Sequence, residues 1–329
     1  MAQRAMCLIS ASAMTFGLAS CVSAPRGPAA TLANAGVSAT SSFGSDVRKT
    51  SEALEYADLS DSFTTTWERC SSAPKFCKAE VKSNANYQKR HKLAAAILLR
   101  ERALSGLGGA YAALKLEADY DAKADLAGAT KKAIGGVNDF AGAIAAIGGA
   151  APGVALISQP IAAVAGVIAG NFAEQAQRKR IIIASRQIGA ATQRLRDAME
   201  VEAFVFDSLA QYLEDNDRLT MAALLKAHLI SNTAVLGPLA QHYGVALVAD
   251  TDARVAASPA LQQAVQATLI AQSRTQIELT RQRYRTAIAA LDALISEHEN
   301  LERTRSVSLE DVARLLAELD TSLKPAIAK

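Results

Sequence analysis

The sequence of 329 residues contains few aromatic residues (5%) and only 8 prolines. Sandwiches and barrels are built from strands rich in aromatic and β-branched residues, so this composition argues against an all-β fold. Half of the residues are apolar. Ala, which has the highest helix propensity of all residues, is prominent among them. We therefore expect an all-α protein that is long enough to bury a large core.

The sequence also lacks an excess of charge of one sign. Its 35 basic and 32 acidic residues give a formal net charge of +3. Proteins that bind DNA or RNA carry a basic surface that neutralises phosphates, and no such surplus is present. We therefore expect no nucleic-acid partner.

Residue patterns for catalysis are missing as well. Only four His residues occur, His91, His228, His242 and His298, and none has a second ligand at the spacing of a His-Glu-x-x-His site. We interpret the segment around His91, Lys89-Arg90-His91-Lys92, as a solvated basic turn. The sequence contains no Gly-x-Ser-x-Gly turn and no phosphate-binding loop that ends in Gly-Lys-Ser/Thr. We expect no catalytic residues, no cofactor, no metal site and no enzymatic activity.

The first 21 residues are typical of an export signal. Arg4 is followed by an apolar run from Ala5 to Ala19. This run is too short and too rich in Ser for a membrane-spanning helix. It ends in the four residues Leu18-Ala19-Ser20-Cys21. We therefore expect the protein to leave the cytoplasm.

Those four residues resemble the lipobox of bacterial lipoproteins, in which a Cys after small residues is lipidated and becomes the new N-terminus. The resemblance implies a signal peptide over residues 1–20 and a lipid on Cys21. Val22, in place of the Asp that retains lipoproteins at the inner membrane, implies the periplasmic face of the outer membrane. The alternative is an ordinary cleaved signal that leaves Cys21 as a spare thiol.

Two further cysteines remain in the exported chain, because Cys7 leaves with the signal and Cys21 would carry the lipid. In an oxidising periplasm, Cys70 and Cys77 are expected to form a disulfide across a short loop in which Pro74 interrupts the helix. Two free thiols, or a metal or redox centre, are the alternatives.

The sequence predicts a flexible tether over residues 21–44, which are mostly Ala, Ser, Gly and Pro with the single charge of Arg26. Helical signals start near Ser45, whose hydroxyl can cap a helix. No charged or Pro-rich linker divides the remainder, so residues 45–329 are predicted to form one α-helical domain.

Three long runs carry apolar residues at alternating steps of three and four, which is a heptad pattern. They lie at 93–114, 188–213 and 284–298. Ser258 and Pro259 are expected to be the N-cap and the first residue of the helix that contains the third run. A separate short helix is expected over about residues 219–232. Matching seams predict an elongated antiparallel bundle of long helices. We interpret the polar seam residues Arg100 and Glu202 as a partly exposed pair that sets the register, in preference to functional buried charges.

Residues 140–173 contain no charged side chain, although one residue in five is charged in the whole chain. Glycines and prolines near the centre predict an apolar helical hairpin rather than one straight helix. Each arm is too short to span a membrane. The hairpin is expected to be buried core, with shallow membrane insertion and a dimer or partner interface as alternatives. Its candidate contact residues are Phe140, Gly149, Pro152, Val164, Gly166, Ile168, Gly170 and Phe172.

Long helices on either side of this hairpin resemble, in layout, the α-helical pore-forming toxins of the cytolysin A kind. That resemblance implies a membrane-active protein that inserts residues 140–173. The lipobox favours a different function, that of a lipid-anchored, non-enzymatic scaffold or interaction module of the cell envelope. Its partners would be the membrane, through the lipid, and an envelope protein of unknown identity, with a homo-oligomer as a further alternative.

Overall fold

The computed structural model describes residues 25–78, 85–119, 125–160 and 174–323. Helices account for 87% of these residues, and within the four ranges there is no strand. The prediction of an all-α fold is therefore confirmed. The helices are α1 Arg26–Ser72, a 3₁₀ turn Pro74–Phe76, α2 Ala85–Ala118, α3 Leu126–Gly148, α4 Val154–Ile157, α5 Glu174–Lys226, α6 Asn232–His242, α7 Thr251–Ala257, α8 Pro259–Glu302 and α9 Glu310–Leu323.

Contacts along α5 show how the long helices run. Arg26 donates to Gln177 near the start of α5, and Thr64 meets Thr220 near its end, so α1 and α5 run in the same direction. Gln177 donates to the carbonyl of Glu117, so the end of α2 meets the start of α5 and α2 runs the opposite way.

α8 also runs against α5. Arg186 of α5 pairs with Glu302 at the end of α8, whereas Glu214 of α5 pairs with Arg274 in the first half of α8. α3 packs on α2 and α5, and α9 packs on α8 and α1. The long helices thus surround one main hydrophobic core.

The predicted tether is wrong from residue 26 onward, because α1 already begins at Arg26. Ala29, Leu32, Ala33 and Phe43 are almost fully buried in the main core. The helix continues through Ser45, which was predicted to start it. Only four residues separate Cys21 from Arg26, a span of at most about 18 Å. Any lipid on Cys21 is therefore held close to this end of the bundle.

Small residues let α1 approach α2 closely. A Cβ atom placed on Gly36 would lie 2.3 Å from ring carbons of Tyr111. The Tyr111 ring is itself 1% exposed and its hydroxyl is hydrogen-bonded, so it has no free volume to move into. Gly36 is thus required for the contact between the two helices.

We expect Gly36→Ala to lower the free energy of unfolding by about 1–3 kcal/mol, because the added methyl group overpacks the core. Gly142→Ala is the matched control. Gly142 is exposed on α3 and a Cβ there meets nothing within 4 Å, so the higher helix propensity of Ala should stabilise by up to about 1 kcal/mol. Urea unfolding measures both, and equal stabilisation by the two changes would contradict the contact.

The start of α8 was predicted correctly from the sequence, whereas the end of α5 was predicted too early. Ser258 caps α8, accepting from the N–H of Leu261, with Pro259 as the first helical residue. The sequence predicted a separate short helix over residues 219–232. Instead, α5 continues without interruption to Lys226.

Candidate functional site

Three polar layers cross the main core. Their α5 members are Thr192, Glu202 and Tyr212, which are ten residues apart and therefore about 15 Å apart along the helix axis. We name the layers after one member each: the His298 layer, the Arg100 layer and the Arg90 layer.

The Arg100 layer joins four helices. Arg100 of α2 donates to Glu202 of α5 at 3.1–3.2 Å and to Asp46 of α1 at 3.4 Å. Tyr284 of α8 donates to Glu202 at 2.6 Å, and its ring faces the Arg100 guanidinium at 5.5 Å. The side chains of Arg100, Glu202 and Asp46 are at most 3% exposed. The predicted pair exists, but it is fully buried and not partly exposed.

Two carboxyl groups share one guanidinium in this layer. Burial raises the pKa of Asp46 and of Glu202, and Arg100 opposes both increases. Burial alone would lower the pKa of Arg100, but Glu202 and its neighbours raise it overall. Asp46 Oδ1 and Arg100 Nε have no hydrogen-bond partner among the described residues. Arg100 is thus the cation that both carboxyl groups share, and Arg283 and Lys49 make smaller contributions at Asp46.

The His298 layer is a chain of hydrogen bonds across the core. Thr192 donates to the carbonyl of Ile188, and its oxygen lies 3.1 Å from the Tyr111 hydroxyl. The Tyr111 hydroxyl lies 2.9 Å from His298 Nε2, and the Ser185 hydroxyl lies 2.8 Å from His298 Nδ1. Burial lowers the pKa of His298 to about 3, so its ring is neutral.

We expect this neutral His298 to make the protein less stable in acid. Its pKa is lowered on folding, so the unfolded state binds more protons between pH 6.5 and pH 3, and stability falls as the pH drops through that window. The loss between pH 7 and pH 5 should be about 2 kcal/mol. It should be absent from His298→Gln, which does not titrate, when chemical unfolding is measured at both pH values. An identical pH dependence in the two proteins would contradict the prediction.

The Arg90 layer was not anticipated from the sequence. The segment around His91 was interpreted as a solvated basic turn, but Arg90 is 0% exposed. It pairs with Asp58 of α1 and donates to the Tyr212 hydroxyl of α5 at 3.2 Å. Tyr212 donates to Asp61 at 2.9 Å, and burial raises the pKa of Tyr212 to about 12. A signal was present, because Arg90 lies three residues before Leu93 and so continues the register of the seam at 93–114, but a search for apolar residues stops short of a charged one.

The arrangement of these layers holds helices together and is not that of a reactive site. Each buried polar group is committed to partners on other helices, and the arrangement fixes which helices are neighbours and in which register. Within the described ranges, no group of three His, Cys, Asp or Glu side chains could hold a metal ion.

The first arm of the predicted hairpin belongs to the main core. Phe140 on α3 is 0% exposed, Gly149 follows α3 with a φ of 56°, and Pro152 is exposed in the turn. Arg194 of α5 donates to the carbonyl of Ile157 at 2.6 Å and so holds α4 against α5. The other predicted contact residues lie outside the described residues: Val164, Gly166, Ile168, Gly170 and Phe172. No helix in the described part of the chain is both long and apolar enough to cross a membrane.

Cys70 and Cys77 form a disulfide, which confirms the prediction made from their spacing. α1 ends at Ser72, and Pro74 begins the 3₁₀ turn between the two cysteines. Cys21, the predicted lipidation site, lies outside the described residues.

A charge-poor region forms at the far end of α5, and we call residues 219–273 the distal lobe. Only four of its 55 residues are charged, Lys226, Asp250, Asp252 and Arg254, compared with 20% in the whole chain. It comprises the end of α5, α6, α7 and the first part of α8. Val235, Val255, Val265 and Leu269 give it a small core separate from the main one.

The distal lobe exposes a large apolar surface. Two clefts of about 590 and 860 Å³ lie in its surface and share Leu269 as a lining residue. Half of the large apolar side chains that are exposed in the described part of the chain lie in this lobe, and such a concentration is typical of a binding surface. Seven of its large apolar side chains are 39–70% exposed: Leu219, Leu229, Leu239, Tyr243, Val245, Val248 and Leu261.

The lobe was not predicted from the sequence, although the sequence contains a signal for it. Residues 227–249 form a second long stretch without charge, and they contain the apolar run Tyr243-Gly244-Val245-Ala246-Leu247-Val248-Ala249. Whether such a run is buried or exposed depends on tertiary contacts, and here residues 245 and 248 are more than half exposed.

Comparison with known proteins gives no relative for this chain: no family model, no curated protein and no solved structure matches it.

Proposed function

We propose that the protein is a lipid-anchored, non-enzymatic scaffold of the bacterial cell envelope, which presents the distal lobe to a protein partner. The observation that carries the proposal is the placement of two features at opposite ends of α5. The start of α1, next to the predicted lipid on Cys21, lies beside Gln177, whereas the distal lobe begins at Leu219. α5 has 53 residues and rises about 80 Å between its ends.

This geometry separates anchoring from binding. The four residues between Cys21 and Arg26 keep the start of α1 close to the membrane surface. The long helices, which the polar layers join to one another, place the distal lobe at the opposite end, away from the membrane. Interface cores are depleted in charged residues and rich in apolar ones, which is the composition of the lobe surface. A non-enzymatic role is supported by the pairing of the charged groups in the three layers, which binds them to side chains of other helices.

Cys21→Ser tests the anchor. We expect the variant to lose membrane association almost completely, because one residue carries the lipid, while the helix content of the body stays unchanged. Membrane fractionation and circular dichroism of the same preparation measure the two properties. Processing of the wild-type precursor that is insensitive to globomycin, an inhibitor of lipoprotein signal peptidase, would contradict the anchor.

Photo-crosslinking in cells tests the lobe. A benzophenone amino acid at Leu239 of the lobe should form crosslinks to protein, whereas the same group at Phe204, which is equally exposed at 48% on α5, should form few. Equal crosslinking from both positions, or none from Leu239, would contradict the proposal.

A further inference from the structure

We infer that the distal lobe is a self-association surface whose partner is the same lobe of a second copy of this chain. This inference rests on the proposed function of the lobe as a protein-binding surface and identifies its occupant.

The charge of the lobe favours a copy of itself. Lys226 and Arg254 balance Asp250 and Asp252, so the lobe has no net charge. Two copies related by a two-fold axis bring identical surfaces together, and a surface with net charge of one sign would repel its copy. An apolar surface with balanced charges can pair with its copy without this electrostatic repulsion.

The same balance argues against a lipid surface as the occupant. Peripheral membrane segments use an excess of Lys and Arg to attract anionic headgroups, and the lobe has none. Residues 245–248 are neither helical nor stranded, and the N–H groups of Ala246 and Leu247 have no backbone acceptor among the described residues. Such groups are costly in a lipid environment, whereas a second protein chain can pair with them.

The exposed side chains are numerous enough to form the centre of an interface. Tyr243 is 70% exposed at the end of α6, and Leu239 on the same helix is 48% exposed. Val245 and Val248 follow in the irregular segment between α6 and α7, at 60% and 53%. Large aromatic and aliphatic side chains of this kind dominate binding at the centre of protein interfaces.

Disulfide trapping of the full chain in cells tests the inference. Val248→Cys should give a disulfide-linked dimer on non-reducing gels at more than ten times the yield of Leu98→Cys, a control on α2 with the same 53% exposure. A residue close to a two-fold axis faces its own copy, which makes this crosslink specific. The native pair does not interfere, since Cys70 and Cys77 are already bonded to each other. Equal yields, or no dimer from Val248→Cys, would overturn the inference.

A second change separates association from chance collision. In the Val248→Cys background, Leu239→Asp should reduce the dimer at least tenfold, whereas Phe204→Asp should leave the yield unchanged. Leu239→Ser serves instead if circular dichroism of the purified Leu239→Asp protein shows a loss of helix. Unchanged dimer yield in a folded lobe variant would count against the lobe as the interface.

A benzophenone amino acid at Tyr243 distinguishes the three occupants. An adduct of two copies of this chain supports the inference. An adduct with a different protein overturns it and leaves the proposed function intact. Adducts with lipid alone overturn both.

Discussion

Arg100→Met should lower the free energy of unfolding by about 3–5 kcal/mol at pH 7, because it removes the cation that donates to both buried carboxylates. The Tyr284 hydroxyl would still donate to Glu202, and Arg283 and Lys49 would still attract Asp46, but more weakly than Arg100 does. An uncompensated buried charge is among the few causes of a loss this large. Chemical unfolding of the wild type and the variant at pH 7 measures the effect.

The pH dependence of the variant identifies the cause. Burial already raises the pKa of Asp46 and Glu202 in the wild type, and loss of Arg100 removes the largest charge contribution that opposes the increase. Groups with a raised pKa favour the folded state at low pH and disfavour it as the pH rises through the folded-state pKa. The difference between Arg100→Met and the wild type should therefore shrink as the pH falls from 7 to about 4, the ordinary pKa of these carboxyls in the unfolded chain.

Arg102→Met is the matched control, since Arg102 lies two residues from Arg100 on the same helix and is exposed. It should change stability by no more than about 0.5 kcal/mol. A similar loss in both variants, or a loss for Arg100→Met that does not vary with pH, would contradict the role of the Arg100 layer.

Phe140→Asp should destabilise the whole fold by several kcal/mol and lower the melting temperature clearly. Phe140 is 0% exposed on the buried face of α3, so the new carboxyl group would lie in an apolar core without a partner. Leu156→Asp, at a position that is 72% exposed on α4 in the same predicted hairpin, should have almost no effect. Thermal unfolding of both proteins makes the comparison.

The same assay extends to the second arm of the hairpin. We expect Val164→Asp, which lies outside the described residues, to lower the melting temperature as well, because the hairpin was predicted to be core. Leakage from liposomes is measured on the same preparations. An unchanged melting temperature for Val164→Asp together with lost leakage would favour the membrane-active alternative.

Residues 26–44 show why the first helix was predicted to begin too late in the sequence. The stretch is rich in Ala, Ser and Gly, which gives weak apolar periodicity. Nevertheless Ala29, Leu32, Gly36, Ala39 and Phe43 repeat at steps of three and four and lie against the bundle. Small residues look like linker in a sequence, whereas in a bundle they allow helices to approach closely.

The heptad seams, unlike residues 26–44, were located correctly from the sequence. Arg100, Glu202 and His298 were located on helical seams from their spacing alone, because an α-helix places such positions on one face. Their burial was not predictable, since it depends on which other helix supplies Asp46, Tyr284 or Ser185. A charged seam residue looks the same in a sequence whether water or a counter-ion from another helix surrounds it.

The features that depend only on residues close together in the chain were thus determined by the sequence itself. It determined the all-α fold, because Ala and heptad spacing act within one helix, and the N-cap at Ser258, because capping involves neighbouring residues. It also determined the Cys70–Cys77 disulfide, since the turn at Pro74 between the two cysteines brings their thiols together without help from remote parts of the chain. Tertiary structure alone decided which residues are buried. Helices that are remote in sequence enclose Arg100, His298 and Phe140. The distal lobe is as poor in charge as the hairpin that contains Phe140, but it lies beyond the main core and its apolar side chains stay exposed.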